Sequence, residues 1–289
     1  MQRSLGMLSP MTTNMTTTTD IAAGRFSFGA NWSDYADHIT DARIAEAERS
    51  LVQLLGRPRL DGLRFLDIGC GSGLFSLAAR RLGAQVHSFD FDHESVRCSR
   101  HVRDKFWPSD SGWTIEPGSV LDREYLERLG QFDVVYAWGV LHHTGDMWTA
   151  IDNARQRVAP GGSMVIALYR RTSACGFWTA EKRFYASASP IIQTAIRIPY
   201  QAAYLLRIAL SGKNPAAFVR DYSCNRGMTF RNDTHDWLGG YPYESTTPDE
   251  VVPFMTQRGL KVDRLPTLDA GWGFFGTHCD EYVFEAPWA

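Results

Sequence analysis

One stretch of the chain decides the fold: Phe65–Asp90 reads FLDIGCGSGLFSLAARRLGAQVHSFD. It starts as a short apolar run that is typical of a buried parallel strand and contains Asp67 near its end. Gly69, Gly71 and Gly73 then recur at every second position, and a helical pattern begins directly after them. A second apolar run closes the stretch. The order strand, glycine turn, helix, strand predicts the first unit of a sheet with parallel strands.

The alternation of strands and helices continues beyond this stretch as far as Tyr169. Strands that alternate with helices of roughly ten to fifteen residues predict a doubly wound α/β sheet. After residue 169 the alternation stops, and regular structure resumes at the capping box Thr247–Glu250, which opens one more helix. The predicted strands are Leu63–Ile68, Gln85–Phe89, Trp113–Glu116, Phe132–Trp138, Ser163–Tyr169, Leu260–Leu265 and Asp280–Phe284, and the helices predicted before residue 169 are Thr40–Leu55, Gly73–Leu82, His93–Phe106 and Asp146–Val158.

The composition is that of a globular protein with an ordinary core. The chain has 289 residues, 44% of them hydrophobic, and a formal net charge of −2. This length suffices for one large domain, and a near-neutral charge is not typical of a nucleic-acid-binding protein. The five cysteines are widely spread without a C-x-x-C pair, so they predict reduced thiols of an intracellular protein, with no disulfide and no metal site.

Neither the N-terminus nor the most apolar segment predicts membrane insertion. Residues 1–24 are rich in Thr and lack the basic start and apolar run of a secretory signal, so they predict a disordered tail. The segment Pro190–Leu210 contains Arg197, Pro199 and Arg207, whereas a transmembrane helix needs about 20 nearly uncharged residues. We expect a cytoplasmic protein in which this segment covers a lipophilic substrate, forms a homodimer face, touches a membrane surface or simply packs as a helix.

The glycine turn predicts a site for an adenosine-bearing cofactor. Glycines allow the backbone to turn sharply and a ligand to lie directly against it, and the following helix offers free N–H groups. A carboxylate at Asp90 can accept hydrogen bonds from both hydroxyls of a ribose. The dinucleotide fingerprint G-x-G-x-x-G would need glycine where Leu74 or Ser76 stands, and the chain has no G-x-x-x-x-G-K-[ST] motif. Neither of these two nucleotide motifs therefore fits.

Four motifs follow one another in a fixed order along the chain. They are DIGCGSG at Asp67–Gly73, the acidic end of the second strand at Asp90, FDVVYAWGVLHH at Phe132–His143 and the turn Pro160–Gly162. In this order they resemble class I S-adenosylmethionine-dependent methyltransferases, most closely the ubiquinone-methylase-like and small-molecule O-methyltransferases. The resemblance covers residues 65–169 and resumes near Thr247. It implies a Rossmann-like sheet of seven strands, the last antiparallel, with a helical insertion after strand five.

The same resemblance implies the chemistry. The cofactor would be S-adenosylmethionine, and the methyl group would move to an oxygen, or less readily to a nitrogen or carbon, of a small molecule. Natural-product, sugar and quinone-like intermediates are acceptors of this kind, and the acceptor would be anionic or lipophilic. Five parts of the chain then follow: a tail over 1–24, an N-terminal helical lid segment over 25–62, a cofactor-binding core over 63–169, a basic substrate-binding insertion over 170–246, and the last helix and two strands over 247–289.

The resemblance also assigns cofactor contacts along the chain. The loop after the first strand would contact the methionine part of the cofactor, and the ends of later strands would contact its ribose and adenine. The segment with Asn31 and Trp32 would either fold over the cofactor or act as a hydrophobic staple against the core. The other assigned residues are Asp67, Gly69, Cys70, Gly71 and Gly73 for the methionine part, Asp90 for the ribose, Phe91, Ser119 and Val120 for the adenine, and Trp138 and Gly139 at the end of the fourth strand.

His142 and His143 are the candidate general bases. They lie just past the fourth strand, at the carboxyl edge where open α/β sheets bind ligands. A histidine there can take a proton from the acceptor as the methyl group arrives. Neighbouring residues are not expected to point into the same pocket, so one histidine, with His143 favoured, or neither would be catalytic. In the alternative, both hydrogen-bond backbone groups of the loop.

Substrate contacts are predicted at the end of the fifth strand and in the insertion. Residues 170–236 carry ten basic and four acidic side chains. Such an excess favours an anionic substrate or an anionic membrane surface, or is a solvated helical face. Trp237 is expected to pack the insertion onto the sheet. The candidate substrate-binding residues are Tyr169, Arg170, Arg231, His235, Asp236, Tyr241 and Tyr243.

Two other functions fit parts of the pattern. An RNA methyltransferase would use the basic insertion as its binding surface, although the total charge and the missing N-P-P-Y motif argue against nucleic acid. A catalytically inactive S-adenosylmethionine-binding scaffold would keep the cofactor motifs without a reaction. The intact DIGCGSG and Asp90 favour an enzyme over this scaffold.

Overall fold

A seven-stranded mixed sheet forms the centre of the protein in the computed structural model. The structure describes residues 25–26, 28–29, 39–108, 110–226, 229–265 and 279–288, with the backbone alone for residues 223–226. The strands are β1 Arg64–Ile68, β2 Gln85–Asp90, β3 Trp113–Pro117, β4 Phe132–Trp138, β5 Val158–Tyr169, β6 Lys261–Arg264 and β7 Cys279–Glu285. The helices are α1 Asp41–Leu55, α2 Leu74–Arg81, α3 His93–Phe106, α4 Arg123–Leu129, α5 Met147–Arg155, α6 Cys175–Ser187, α7 Pro190–Leu210, α8 Pro215–Arg226, α9 Phe230–Gly239 and α10 Pro248–Thr256.

The strand order is β3-β2-β1-β4-β5-β7-β6, and this confirms the predicted doubly wound topology. Strands β1 to β5 are parallel to their neighbours, whereas β7 runs antiparallel between β5 and β6. One face of the sheet buries apolar side chains of α1, α2 and α3, and the other buries those of α4, α5 and α10. Because β1 and β4 are neighbours with helices on opposite faces, a crevice opens at their carboxyl ends, as in other open α/β sheets.

Two local predictions in the core were wrong. Strand β5 begins at Val158, where Phe132 pairs with it, and not after the Pro160–Gly162 segment. The ladder is irregular at this point, so the predicted turn is a distortion within a long strand. Gly161 has a φ of 72°, and a Cβ there would lie 2.6 Å from the ring of Trp288, so glycine is required. The preceding helix is correspondingly shorter than predicted, because it ends at Arg155.

Helix α4 is absent from the predicted elements. It follows Asp122, whose carboxylate accepts a hydrogen bond from the backbone N–H of Tyr125 at 3.0 Å and so caps the helix. The side chains of Tyr125 and Leu126 are buried. An Asp cap followed by this apolar pair is the signal that could have predicted the helix.

Four helices, α6 to α9, make up the segment between β5 and the last helix, which confirms the predicted helical character of this insertion. An apolar cluster joins α6 and α9 to the N-terminal segment, with Phe26, Trp178, Tyr185 and Leu238 among its buried side chains. The insertion therefore lies close to the end of β5, where Tyr169 packs against the same cluster.

Helix α7 exposes most of its apolar surface. Ile191 and Leu210 are 82% and 80% exposed, and Ile208 is the buried residue of this fully described helix. Simple packing therefore explains only part of its apolar character. Among the residues that the structure describes, no helix is both long enough and apolar enough to cross a membrane.

Candidate active site

The glycine turn after β1 has a backbone shape that requires glycine. Gly69, Gly71 and Gly73 have φ angles of 70°, 52° and 77°, in the left-handed region. A Cβ on Gly69 would also lie 2.5 Å from the side chain of Val140, so the glycine turn touches the residue that precedes the 3₁₀ turn Leu141–His143. The backbone N–H of Gly69 donates to the carbonyl of Phe89 at 2.8 Å, which ties the turn to the end of β2.

Asp90 lies at the junction between this turn and the end of β2. Its carboxylate accepts hydrogen bonds from the backbone N–H of Gly71 at 3.0 Å and of Asp92 at 2.8 Å. Burial raises the pKa of Asp90 to about 6, against these two hydrogen bonds, which lower it. A carboxylate has about four lone-pair sites, so two sites remain for the hydroxyls of a ribose.

The edge around Asp90 fits an adenosine-bearing cofactor. Phe91 directly follows β2 and Trp138 ends β4, and the two residues are 53% and 43% exposed. A Cβ on Gly139 would meet no described atom within 4 Å. Exposed aromatic faces beside an open glycine form a cradle for a flat ring. The predicted cofactor residues Gly69, Gly71, Asp90 and Phe91 therefore come together here, whereas the indole N–H of Trp138 donates to Glu281 of β7 at 2.7 Å.

Asp67 faces away from this edge. It is 3% exposed and accepts a hydrogen bond from Ser76 of α2, whose hydroxyl also lies 2.6 Å from that of Ser88. The indole N–H of Trp113 donates to Ser88 at 2.7 Å and completes a buried polar chain. Burial raises the pKa of Asp67 to about 7. Asp67 thus braces the glycine turn from behind, and its contact with the methionine part stays a prediction.

The remaining predicted cofactor residues are more peripheral. Cys70 accepts a hydrogen bond from the hydroxyl of Ser99 at 3.3 Å and lines the turn. Val120 turns its side chain into the core, whereas its carbonyl accepts from Asn153. Ser119 caps its own loop by accepting from the N–H of Leu121 at 3.2 Å. Asn31 and Trp32 lie outside the described residues.

Arg25 is a site residue that the sequence did not reveal. Its guanidinium lies 4.6 Å from the centroid of the Phe91 ring and donates to the carbonyl of His143 at 2.6 Å. Burial lowers the pKa of Arg25, while the nearby Asp90 and Asp92 raise it. Arg25 therefore links the predicted cofactor edge to the histidine turn. No local motif marks an arginine for such a role, since its partners are far away in sequence.

Both histidines are buried in one 3₁₀ turn. His142 is 0% and His143 8% exposed, and their ring centroids lie 4.4 Å apart. Both rings contact Tyr169, at centroid distances of 3.9 Å for His142 and 5.3 Å for His143. The tight turn thus directs both rings towards Tyr169 at the end of β5, and the expectation that they would not share a substrate pocket stays a prediction.

The protonation of the pair is set by this burial. Burial lowers the pKa of His143 to about 3, although its bond to Pro242 raises it, and the pKa of His142 lies well below its usual range for the same reason. Nδ1 of His143 lies 2.7 Å from the carbonyl oxygen of Pro242. Since a carbonyl only accepts, Nδ1 carries the proton and Nε2 of His143 keeps its lone pair. Both rings are therefore neutral at neutral pH.

Tyr169 stands at the centre of the predicted substrate residues. Its ring centroid lies 5.3 Å from that of Tyr243 and 5.7 Å from that of Trp237. Asp236 is near enough to raise the pKa of the Tyr169 hydroxyl, which burial already raises. The structure thus brings Tyr169, Asp236 and Tyr243 together with the histidine pair.

The other predicted substrate residues lie around or outside this cluster. His235 bonds the hydroxyl of Tyr185 through Nδ1 at 2.7 Å, and Tyr241 accepts the backbone N–H of Phe26 through its carbonyl. Arg170 forms an ion pair with buried Asp280 at 2.7 Å, so it braces β5 against β7. Arg231 lines a separate open groove of about 480 Å³ between α7, α8 and α9. The structure therefore does not bring Arg170 and Arg231 into the cluster.

Two further residues of this region were missed. Glu244 accepts the backbone N–H of Met147 at 2.9 Å, its own N–H donates to the carbonyl of His142, and burial raises its pKa to about 7. Lys182 of α6 is 0% exposed and lies among the aromatic rings. It shares a helical stripe with the buried residues Cys175, Trp178 and Tyr185, and this spacing could have predicted its burial.

Comparison with known proteins identifies relatives of this chain. Residues 38–261 match a family model described as a methyltransferase domain. A ubiquinone biosynthesis O-methyltransferase of Cereibacter sphaeroides is 33% identical over 135 residues, which are 47% of this chain and 51% of that relative. The chain thus spans about half the length of this relative. The protein of the same description from Rhizobium etli is 33% identical over 182 residues, 62% of this chain and 68% of that relative.

A solved structure shares the fold. Magnesium protoporphyrin IX methyltransferase from Synechocystis, crystallised with bound SAH, has a TM-score of 0.51 to this chain, with 12% identity. The match covers 85% of this chain and 84% of that one, and it shows a common fold only. Because the family model spans most of the chain and the Rhizobium relative is matched over two thirds of its length, the chain belongs to the methyltransferase domain family.

Proposed function

We propose that this chain transfers the methyl group of S-adenosylmethionine to an oxygen of a small-molecule acceptor. The observation that carries the proposal is the direct contact of two sites. The glycine turn with Asp90 packs against Val140, and the turn of His142 and His143 follows immediately. A cofactor at the first site would therefore lie beside an acceptor at the second.

The residues of the cofactor edge each have a defined part. Asp90 would bind the ribose hydroxyls, the exposed faces of Phe91 and Trp138 would contact flat groups, and the glycine turn would admit the chain of the cofactor. Bound S-adenosylmethionine supplies a methyl group that its positively charged sulfur has already activated. The protein then has to align the accepting oxygen and exclude water.

The histidine turn is suited to alignment. Nε2 of His143 is an acceptor that can hold the hydrogen of an acceptor hydroxyl, and the bond from Nδ1 to Pro242 fixes the ring. A base works best when its pKa is near the working pH, and that of His143 is about 3. His143 is therefore better placed to orient a hydroxyl than to remove its proton. Phe28, 5.1 Å from His143 between ring centroids, helps to cover the turn.

The acceptor we propose is a planar molecule such as a quinone-like or natural-product intermediate. Rings of Tyr169, Trp237 and Tyr243 surround the histidine pair and would contact a flat body. The relatives described as ubiquinone biosynthesis O-methyltransferases support oxygen as the accepting atom. They favour this function over an RNA methyltransferase and over an inactive scaffold.

Location and assembly complete the proposal. We place the enzyme in the cytoplasm, acting on a free acceptor. The exposed apolar side chains of α7 would form the face of a homodimer. Light scattering at several protein concentrations tests this part, and a monomer at all of them would contradict it.

The proposed reaction is tested with S-adenosylmethionine labelled in its methyl group and an extract of the source cells. The protein, Asp90→Ala and the control Asp263→Ala, whose carboxylate is exposed on β6, are incubated in parallel. The label should enter a small molecule with the protein and with the control, but not with Asp90→Ala. Label in RNA, or in no fraction at all, would contradict the proposal.

A further inference from the structure

Lys182 has a buried amine for which the described residues supply no hydrogen-bond partner; burial lowers its pKa to about 7, and the neighbouring Glu181 raises it. The Lys182 side chain is 0% exposed, and Nζ lies 3.7 Å from the ring centroid of Trp237, 5.2 Å from that of Tyr243 and 5.7 Å from that of Trp178. An ammonium group has three N–H donors, and Nζ finds no acceptor in the part of the chain that the structure describes. The aromatic faces attract the positive charge but leave its donors unused.

This arrangement is not explained by stability. Burying a charge without hydrogen bonds is unfavourable, and well-packed hydrophobic side chains of similar size are often at least as stable in such positions. A methionine would fill the same space between the three rings. The lysine at this position therefore points to an interaction with something other than the protein itself.

Unpaired polar atoms are concentrated around Lys182. Eight buried side-chain N and O atoms of the described residues lack a hydrogen bond. Four of them belong to this one region: Nζ of Lys182, Nε1 of Trp237, and the two ring nitrogens of His142, whose pKa the nearby backbone of Ala167 raises against the larger effect of burial. The rings of Trp237 and His142 both contact Tyr169. Since buried polar groups are normally paired, such a concentration indicates a place shaped for a polar ligand.

The charge of Lys182 is directed towards this region. Lys182 lowers the pKa of both His142 and His143, whereas its neighbour Glu181 raises the pKa of Tyr185. The two side chains also act on each other, because Glu181 raises the pKa of Lys182 and Lys182 lowers that of Glu181. No ion pair joins Glu181 and Lys182, although the structure describes both. The region around Tyr169 is thus left with the unpaired amine of Lys182 and the unpaired indole N–H of Trp237.

We propose that Lys182 binds a carboxylate of the methyl acceptor, with the indole N–H of Trp237 as the second donor to the same group. A carboxylate offers two oxygens to two donors, and its charge complements the ammonium. The surrounding rings require the rest of this ligand to be flat, so the acceptor class is an aromatic carboxylate. The inference rests on the proposed function, because its ligand is the acceptor of that reaction.

This assignment also accounts for the state of the histidines. A carboxylate is ionised at neutral pH, and its negative charge beside Nζ would favour the ammonium form of Lys182. Neutral, buried rings such as those of His142 and His143 can line the path of an anion without repelling it or binding it tightly. Lys182 then determines which acceptors enter, and the histidine turn orients them.

The test compares two flat probes that differ in charge, 4-nitrobenzoate and 4-nitrobenzamide. Binding of each is measured by calorimetry with the full chain saturated with S-adenosylhomocysteine. The unmodified protein should bind the benzoate about tenfold more tightly than the amide. Lys182→Met should bind the two equally, while Lys213→Met, which removes an exposed lysine of the same insertion, should keep the preference. Trp237→Phe should reduce the preference to a few-fold.

Equal binding of the two probes by the unmodified protein would overturn the inference, as would a preference that survives in Lys182→Met. The thermal midpoint of Lys182→Met without ligand separates recognition from a structural role. It should equal or exceed that of the unmodified protein, and a large decrease would assign Lys182 to the fold. If the protein binds S-adenosylhomocysteine but neither probe, the inference fails and the proposed function stands. If it does not bind S-adenosylhomocysteine, the proposed function fails.

Discussion

The cofactor edge and the acceptor cluster lie side by side but are built in opposite ways. At the cofactor edge, Asp90 is paired with backbone N–H groups, and behind this edge Asp67 is paired with the hydroxyl of Ser76. In the acceptor cluster around Tyr169, the side-chain nitrogens of His142 and Lys182 have no hydrogen-bond partner within 3.5 Å among the described residues. The first region is complete without its ligand, whereas the second has donors and acceptors left for one. We infer that the protein binds its cofactor with a preformed site and completes the acceptor site on binding.

Removing the carboxylate of Asp90 should have the largest effect, because it weakens cofactor binding and leaves the acceptor cluster intact. Asp90→Ala should weaken binding of S-adenosylhomocysteine by about a hundredfold, because hydrogen bonds to a charged group contribute about 1.5–3 kcal/mol each. Calorimetry measures the affinity, with Asp263→Ala as the control. Unchanged affinity in Asp90→Ala would remove this residue from the cofactor site. Binding of 4-nitrobenzoate in the acceptor cluster should survive the change.

The preformed turn should tolerate a side chain poorly. Gly69→Ala should lower the free energy of unfolding by about 2 kcal/mol, because alanine is strained at positive φ and its Cβ would meet Val140. Gly56→Ala is the matched control, since Gly56 has a φ of 63° but open space around it. Comparing the urea unfolding of the two variants separates the cost of the contact with Val140 from the cost of alanine at positive φ. Equal losses of unfolding free energy in the two variants would show that Val140 moves to make room for the added Cβ.

The contributions of the two regions to stability should also depend on pH in opposite directions. Burial raises the pKa of Asp67 to about 7, so the native state binds more protons than the unfolded state below that pH, and stability falls as the pH rises from about 4 to 7. Burial lowers the pKa of His143 to about 3, so stability falls as the pH decreases from about 6.5 towards 3.

One variant tests each of these two pH dependences of stability. Asp67→Asn should reduce the loss of stability that follows a rise in pH, and His143→Asn should reduce the loss of stability that follows a fall in pH. Each reduction should be on the order of 2 kcal/mol. The measurement is urea unfolding at a series of pH values. A variant that leaves its slope unchanged would show that the group is not buried in the form described.

The smallest of these effects should be the effect on turnover of a substitution in the histidine turn. His143→Ala should lower turnover about tenfold with little change in cofactor affinity, since we assign this ring to orientation. His143→Asn, which can still donate to the carbonyl of Pro242, should recover part of the loss. A decrease of about a thousandfold would instead indicate a general base. Full activity of His143→Ala would exclude both roles.

The sequence predicted the cofactor edge better than the acceptor cluster, for a physical reason. Gly69, Gly71 and Asp90 belong to one strand–turn–helix–strand unit, so their contacts are set by local backbone geometry. Arg170 looked equally available for substrate, yet Asp280, 110 positions away, holds it in the sheet. Lys182 looked like part of a solvated basic run, although its helical stripe with Cys175, Trp178 and Tyr185 marks a buried position. The packing of α6 against α9 decides which rings surround it.

What the sequence by itself determined is the doubly wound sheet, the antiparallel last strand implied by the resemblance, and the glycine turn with Asp90 at its edge. These follow from apolar periodicity and from backbone conformations that only glycine adopts readily. Only the tertiary structure decided that both histidines face Tyr169, that Arg25 links them to Phe91, and that Lys182 is enclosed by aromatic rings. These features depend on residues far apart in the chain, whose meeting no local pattern encodes.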